Sequence, residues 1–135
     1  MSLDMNFSTE KLSKVLQNSY SPFSKFKVAS CIESSSGRHY YGCNVENSSI
    51  GATICAERTA IVKMISEEGP SAKVVKVYLL SETPEPITPC GICRQSIFEL
   101  LPSSDTDIEV ISFSKDFKSQ TIFSFSKLFP EGFKL

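Results

Sequence analysis

Three cysteines, split between two short segments that each open a helical pattern, constrain this chain more than any other feature. The first segment is Cys55-Ala-Glu57-Arg58 and the second is Thr88-Pro-Cys90-Gly-Ile-Cys93-Arg94. A helix N-terminus carries partial positive charge and unpaired N–H groups, so a cysteine there favours thiolate over thiol. Cys90 and Cys93 stand three apart on a first helical turn and can face one metal. Cys55 completes a three-sulfur set if the fold brings the two helix starts together. Three soft ligands leave a tetrahedral zinc one position short of closed, and the open position can activate water. Glu57, two residues past a candidate ligand, is placed for general acid–base work there. Arg58 and Arg94 can offset thiolate charge by charge-assisted hydrogen bonds.

On the residues alone, a closed structural zinc site and a redox CxxC stay open. The first asks for a fourth ligand, often from a second CxxC, and the sequence has none. The second needs no distant third cysteine. Cys31 and Cys43 lie inside strand patterns and read as small buried fillers. His39, the one histidine, reads as a structural residue rather than a ligand.

The 135 residues suit one domain spanning 1–135, with residues 1–4 read as an appended stretch before a native start at Met5. Apolar residues make up 41% and the net charge is -1, with Lys and Arg scattered. That spread argues against a nucleic-acid partner. No apolar run approaches the roughly 18 residues of a membrane span. With no secretory pattern in view, the expected compartment is the cytoplasm, where cysteines stay reduced or metal-bound.

Helical periodicity marks residues 7–19, capped by Ser8 or Thr9, then 55–68, stopped by Gly69-Pro70, and 91–101. Strand patterns cover 27–33, 38–45, 73–80, 108–113 and 121–125. The first two are joined by a hairpin turn at Ser34-Ser-Ser-Gly37. The order α-β-β-α-β-α-β-β predicts an α/β fold: a three-layer α-β-α arrangement around a five-stranded mixed sheet. Strands separated by helices should run parallel. Residues 114–120 are too short for a parallel crossover, so the last two strands should form an antiparallel hairpin. Phe23 and Phe26, in a loop around Pro22, read either as core anchors or as a wall beside a planar ligand. Asn44-Val-Glu46-Asn47 reads either as a turn or as a set of groups suited to a sugar diol. Gly51 is expected to allow a close backbone approach.

Cys55-Ala-Glu57 with Pro89-Cys90-Gly-Ile-Cys93 resembles the zinc deaminase signature in its all-cysteine form. Tyr20-Ser-Pro-Phe-Ser-Lys-Phe26, Asn44-Val-Glu46-Asn47, Thr53-Ile-Cys-Ala-Glu-Arg-Thr-Ala60 and Leu128-Phe-Pro-Glu-Gly-Phe133 extend the likeness to the small homotetrameric cytidine deaminases. The resemblance implies zinc-dependent hydrolytic deamination of cytidine and deoxycytidine, within pyrimidine salvage. It implies Zn²⁺ on Cys55, Cys90 and Cys93, with Arg58 neutralising thiolate charge and Glu57 as the proton shuttle. Asn44 and Glu46 would hold the ribose and Phe26 the base. Phe133 would close the site of a neighbouring subunit. Deaminases of blasticidin-type antibiotics share the zinc set but lack the Asn-x-Glu-Asn run. Polynucleotide deaminases need parallel final strands, which residues 114–120 are too short to allow. A zinc-stabilised binding module has no use for Glu57.

Overall fold

The order of the elements is α1 (Thr9–Gln17), β1 (Val28–Ser34), β2 (His39–Cys43), α2 (Ala56–Glu68), β3 (Val74–Ser81), α3 (Gly91–Glu99), β4 (Glu109–Phe113), β5 (Gln120–Ser124) and α4 (Phe125–Leu128). A short 3-10 turn, Ile50–Ala52, precedes α2. These elements come from a computed structural model that describes residues 4–135. Most of the stretch expected to precede Met5 lies outside the described residues. Asp4 is within them, and its carbonyl accepts the His39 N–H at 2.6 Å.

The strands order as β2-β1-β3-β4-β5. β1 is antiparallel to both β2 and β3, β3 is parallel to β4, and β4 is antiparallel to β5. The final hairpin is therefore antiparallel, as the short link requires. The crossover through α2 joins strands of like direction, also as expected, but β2 and β3 are not neighbours, because β1 lies between them.

β3 is covered on both faces, which accounts for its apolar stretch Val77-Tyr-Leu-Leu80. Val74, Val77 and Leu79 of β3 join Ala60 and Met64 of α2 and Ile97 of α3 in one core. Tyr78 and Leu80, on the opposite face, join Leu12 and Leu16 of α1. Side chains alternate across a strand, so one strand serves both cores. Cys31 packs in the α1 core, fully buried, as a filler should. His39 is buried, with Nε2 3.1 Å from a Glu33 carboxylate oxygen.

Caps and turns set the boundaries. The Ser8 hydroxyl accepts the Lys11 N–H and starts α1. Gly37 in the hairpin and Gly69 after α2 have φ of +92° and +91°, where an L side chain is strained. β2 stops at Cys43, earlier than the expected 45. Val45 turns away to exchange two backbone hydrogen bonds with Ile54, and Tyr20 bridges its other side. This small junction gathers the loops around residues 20, 45 and 54.

The close backbone approach is at Gly42 and not at Gly51. A Cβ at Gly51 would meet nothing within 4 Å among the described residues. A Cβ at Gly42 would lie 2.7 Å from the Ala60 nitrogen and 2.9 Å from the Ala56 carbonyl oxygen. Gly42 thus lets the first turns of α2 lie directly on β2. Both obstructions are backbone, so they cannot rotate away. Gly42→Ala should cost about 1–3 kcal/mol by overpacking, read as a lower denaturant midpoint with an unchanged slope.

Candidate active site

Cys55 is the N-cap of α2 and Cys90 the N-cap of α3. Neither thiol caps its own helix, so both sulfurs are free to point at each other. Cys93 sits one turn into α3 and is fully buried. The three Sγ atoms lie within 4.8 Å of one another, and Cys55 and Cys90 are 3.7 Å apart. Two thiolates each ~2.3 Å from a tetrahedral zinc stand about 3.8 Å apart, so the donor set fits that ion in both spacing and softness.

The electrostatics of the trio are uneven. A hydrogen bond from Cys93 lowers the Cys55 thiol to about 5, with help from Arg58 and against burial. The same hydrogen bond, together with burial, pushes the Cys93 thiol up. Burial would depress Arg58, but the Cys55 and Cys93 sulfurs outweigh it and raise the guanidinium above its usual value. Arg58 Nη2 donates to the Thr53 carbonyl at 3.2 Å and lies 3.7 Å from Cys55 Sγ. Its Nε is buried without a partner among the described residues. Arg94, expected beside it, is elsewhere. Its Nε and Nη1 donate to the Pro89 and Leu128 carbonyls at 2.7 and 2.6 Å. It ties the loop before Cys90 to the tail and leaves the sulfurs to Arg58.

Glu57 is 4% exposed, and burial pushes its carboxyl up to about 7. It borders a cavity of ≈ 280 Å³ that also touches Phe26, Asn44, Glu46, Cys55 and Cys90. The fold thus brings together residues that are far apart in sequence. The cavity shares Ser24, Glu46, Thr53 and Cys55 with an outer apolar hollow that exposed Phe23, Ile50 and Ile92 line.

Asn44 and Glu46 differ in what they leave free. Asn44 is buried, and its Oδ1 accepts from Ser19 Oγ and from the Val28 N–H. Its Nδ2 donates to the Phe26 carbonyl at 2.8 Å, which leaves one N–H for a ligand. Glu46 Oε1 accepts the Phe23 and Ser24 N–H groups at 2.9 and 3.1 Å, and Oε2 is left for the cavity. Phe133 is 66% exposed and does not line the cavity. Its carbonyl is held by Gln95 Nε2 at 2.9 Å.

Val28, Thr53, Ile87 and Thr88 also line the cavity, and the sequence reading did not single them out. Val28 stands two residues after Phe26, a period-2 spacing that could have found it. Thr53 and Thr88 each stand two residues before a candidate ligand. Ile87 carries no such signal.

A sequence model described as the cytidine and deoxycytidylate deaminase zinc-binding region matches residues 3–104. A curated cytidine deaminase of Mycoplasma pneumoniae is 42% identical over 123 residues, which is 90% of either chain. One of Sporosarcina psychrophila is 37% identical over 120 residues, 89% of this chain and 84% of that one. A crystal structure of cytidine deaminase from Burkholderia pseudomallei superposes with a TM-score of 0.77 at 30% identity, covering 94% of this chain and all of that one. The matched region is a zinc-binding one, and Cys55, Cys90 and Cys93 are placed to bind a metal ion. On sequence and fold together, the chain belongs to the cytidine and deoxycytidylate deaminase family.

Proposed function

We propose that this protein is a zinc-dependent cytidine deaminase. It hydrolyses cytidine and deoxycytidine to uridine and deoxyuridine with release of ammonia, and serves pyrimidine salvage in the cytoplasm. The observation that carries the reading is the single cavity on which Phe26, Asn44, Glu46, Glu57 and two of the three thiols converge. The curated relatives named as cytidine deaminases support it. No helix among the described residues is long and apolar enough to cross a membrane.

Cys55, Cys90 and Cys93 would hold the zinc ion, whose Lewis acidity would make water a nucleophile near neutral pH. Glu57 takes a proton from the attacking water and delivers it to N3 of the cytosine ring as oxygen adds to carbon 4. It then carries the proton of the new hydroxyl to the amino group, which leaves as ammonia as the carbon–nitrogen bond breaks. Burial of Glu57 keeps these transfers away from bulk water. Phe26 packs against the base. Glu46 Oε2 accepts from a ribose hydroxyl, and the remaining Asn44 N–H donates to one.

The assembly we infer is a homotetramer. The apolar rim of Phe23, Ile50 and Ile92 is the kind of surface a neighbouring subunit covers. Phe133, which is exposed and does not line its own cavity, would be contributed to a neighbouring site.

Glu57→Gln should keep stoichiometric zinc and lower kcat by about 10²–10⁴; substantial turnover by the zinc-loaded variant would remove Glu57 from the proton path. Glu46→Ala should raise KM for cytidine about tenfold, the size of one charged hydrogen bond, and change the weak turnover of free cytosine far less. Equal effects on both substrates would show that Glu46 does not read the ribose. Chelation should lower the melting temperature and added zinc should restore it. At a free metal concentration 100 times its Kd the stabilisation is about 2.7 kcal/mol. Cys93→Ser should lose both the bound zinc and that response.

A further inference from the structure

We propose that Glu82 is a positioning residue for the base-binding wall of the site, an inference that rests on the cytidine deaminase reading. Phe26 precedes β1 and so lies beyond the sheet. The β1–β2 pairing ends at Ala29 opposite Cys43, and the β1–β3 pairing ends at Val28 opposite Ser81. From Phe26 to Val28 the backbone has to find other partners, and it finds all of them.

The Phe26 N–H donates to Ser24 Oγ at 3.1 Å, and its carbonyl accepts from Asn44 Nδ2. The Val28 N–H donates to Asn44 Oδ1 at 2.9 Å, and its carbonyl accepts the Asn44 N–H at 3.1 Å. Lys27, between them, faces the other way. Its N–H donates to Glu82 Oε1 at 3.1 Å, and its carbonyl accepts the Glu82 N–H at 3.3 Å. Asn44 and Glu82 are the first residues past β2 and β3, so two side chains carry on the ladder where the strands stop.

Asn44 is already assigned to the ligand, whereas Glu82 has no other duty in the site. It also begins the 82–90 loop, which carries Ile87, Thr88 and Cys90 into the same cavity. One carboxylate thus joins the Phe26 wall to the wall that ends in a metal-binding thiol. Without it, the Lys27 N–H loses its acceptor, and on that side the segment keeps only the Glu82 backbone N–H, while Ser24 and Asn44 hold Phe26 from the other. Such looseness affects binding of the base before it affects proton transfer at Glu57.

The test is zinc-loaded full-length protein carrying Glu82→Ala, Glu82→Gln or Glu82→Asp, with cytidine as the substrate. Glu82→Ala should raise KM about tenfold, the worth of one hydrogen bond to a charged group, with a much smaller change in kcat and unchanged zinc content. Hydrogen exchange at the Lys27 amide should speed up in parallel. Glu82→Gln keeps an Oε1 acceptor and should restore both readouts, while Glu82→Asp is too short to reach and should not. If Glu82→Ala does not fold, the contrast between Gln and Asp decides the matter. An unchanged KM, or a raised KM with the Lys27 amide still protected, would overturn the proposal. Failure of the wild-type protein to deaminate cytidine would refute the functional reading instead, and Lys27 exchange would still decide whether the clamp exists.

Discussion

The site depends on holding three sulfur atoms within 4.8 Å of one another. Two unit charges about 4 Å apart repel by roughly 4 kcal/mol at an effective dielectric of 20. Three thiolates therefore need a strong positive term close by. The two helix N-termini supply ~0.3–1 kcal/mol each, and Arg58 supplies one charge from one side. These suffice to favour a thiolate at Cys55, whose thiol is lowered to about 5. They do not suffice at Cys93, where burial and the shared proton push the thiol up. A divalent cation is the one term of the right size for the full trio. The buried, unpartnered Nε of Arg58 fits the same account, because the guanidinium is oriented by the sulfurs at the expense of its own hydrogen bonding.

Topology makes that proximity affordable in conformational terms. β2 and β3 run in the same direction, each antiparallel to β1. The helices that follow them therefore begin at the same end of the sheet. In open α/β sheets that end is where ligands gather. Gly42 then sets how closely α2 lies on the sheet, and Arg94 ties the approach to α3 down to the tail. The junction of Tyr20, Val45 and Ile54 folds the remaining loops over the same edge.

Much of this could be read from the chain. The cysteine spacing pointed to one metal, and both helix starts fall within a residue of where the periodicity puts them. The short 114–120 link required the antiparallel hairpin that β4 and β5 form. Other features had no sufficient local signal. That β1 separates β2 from β3 is a matter of long-range pairing, and the strand patterns alone fit either order. Gly42 lies inside a strand pattern, where a lone glycine signals a close approach, but only the packed helix shows which backbone comes near. Arg94 stands beside Cys93 in the chain, but along a helix neighbouring side chains point about 100° apart. It therefore faces the tail and not the sulfurs.

Asn44 shows a further reason why site residues are only partly legible. The resemblance assigns it to a sugar, and it does border the cavity, but three of its hydrogen bonds go to the chain itself. A residue that ends a ladder has to satisfy backbone groups that the next strand no longer reaches, since leaving one buried and unpaired costs ~1–3 kcal/mol. Recognition and architecture then share one carboxamide. A loss of binding on replacing Asn44 would combine a missing ligand contact with a loosened Phe26, and so could not be taken as the worth of the contact alone. Glu46 is different. One of its oxygens is committed to the Phe23 and Ser24 amides and the other is free. Its structural and recognition roles are divided between two atoms, so of the pair it is the cleaner reporter of what the cavity binds.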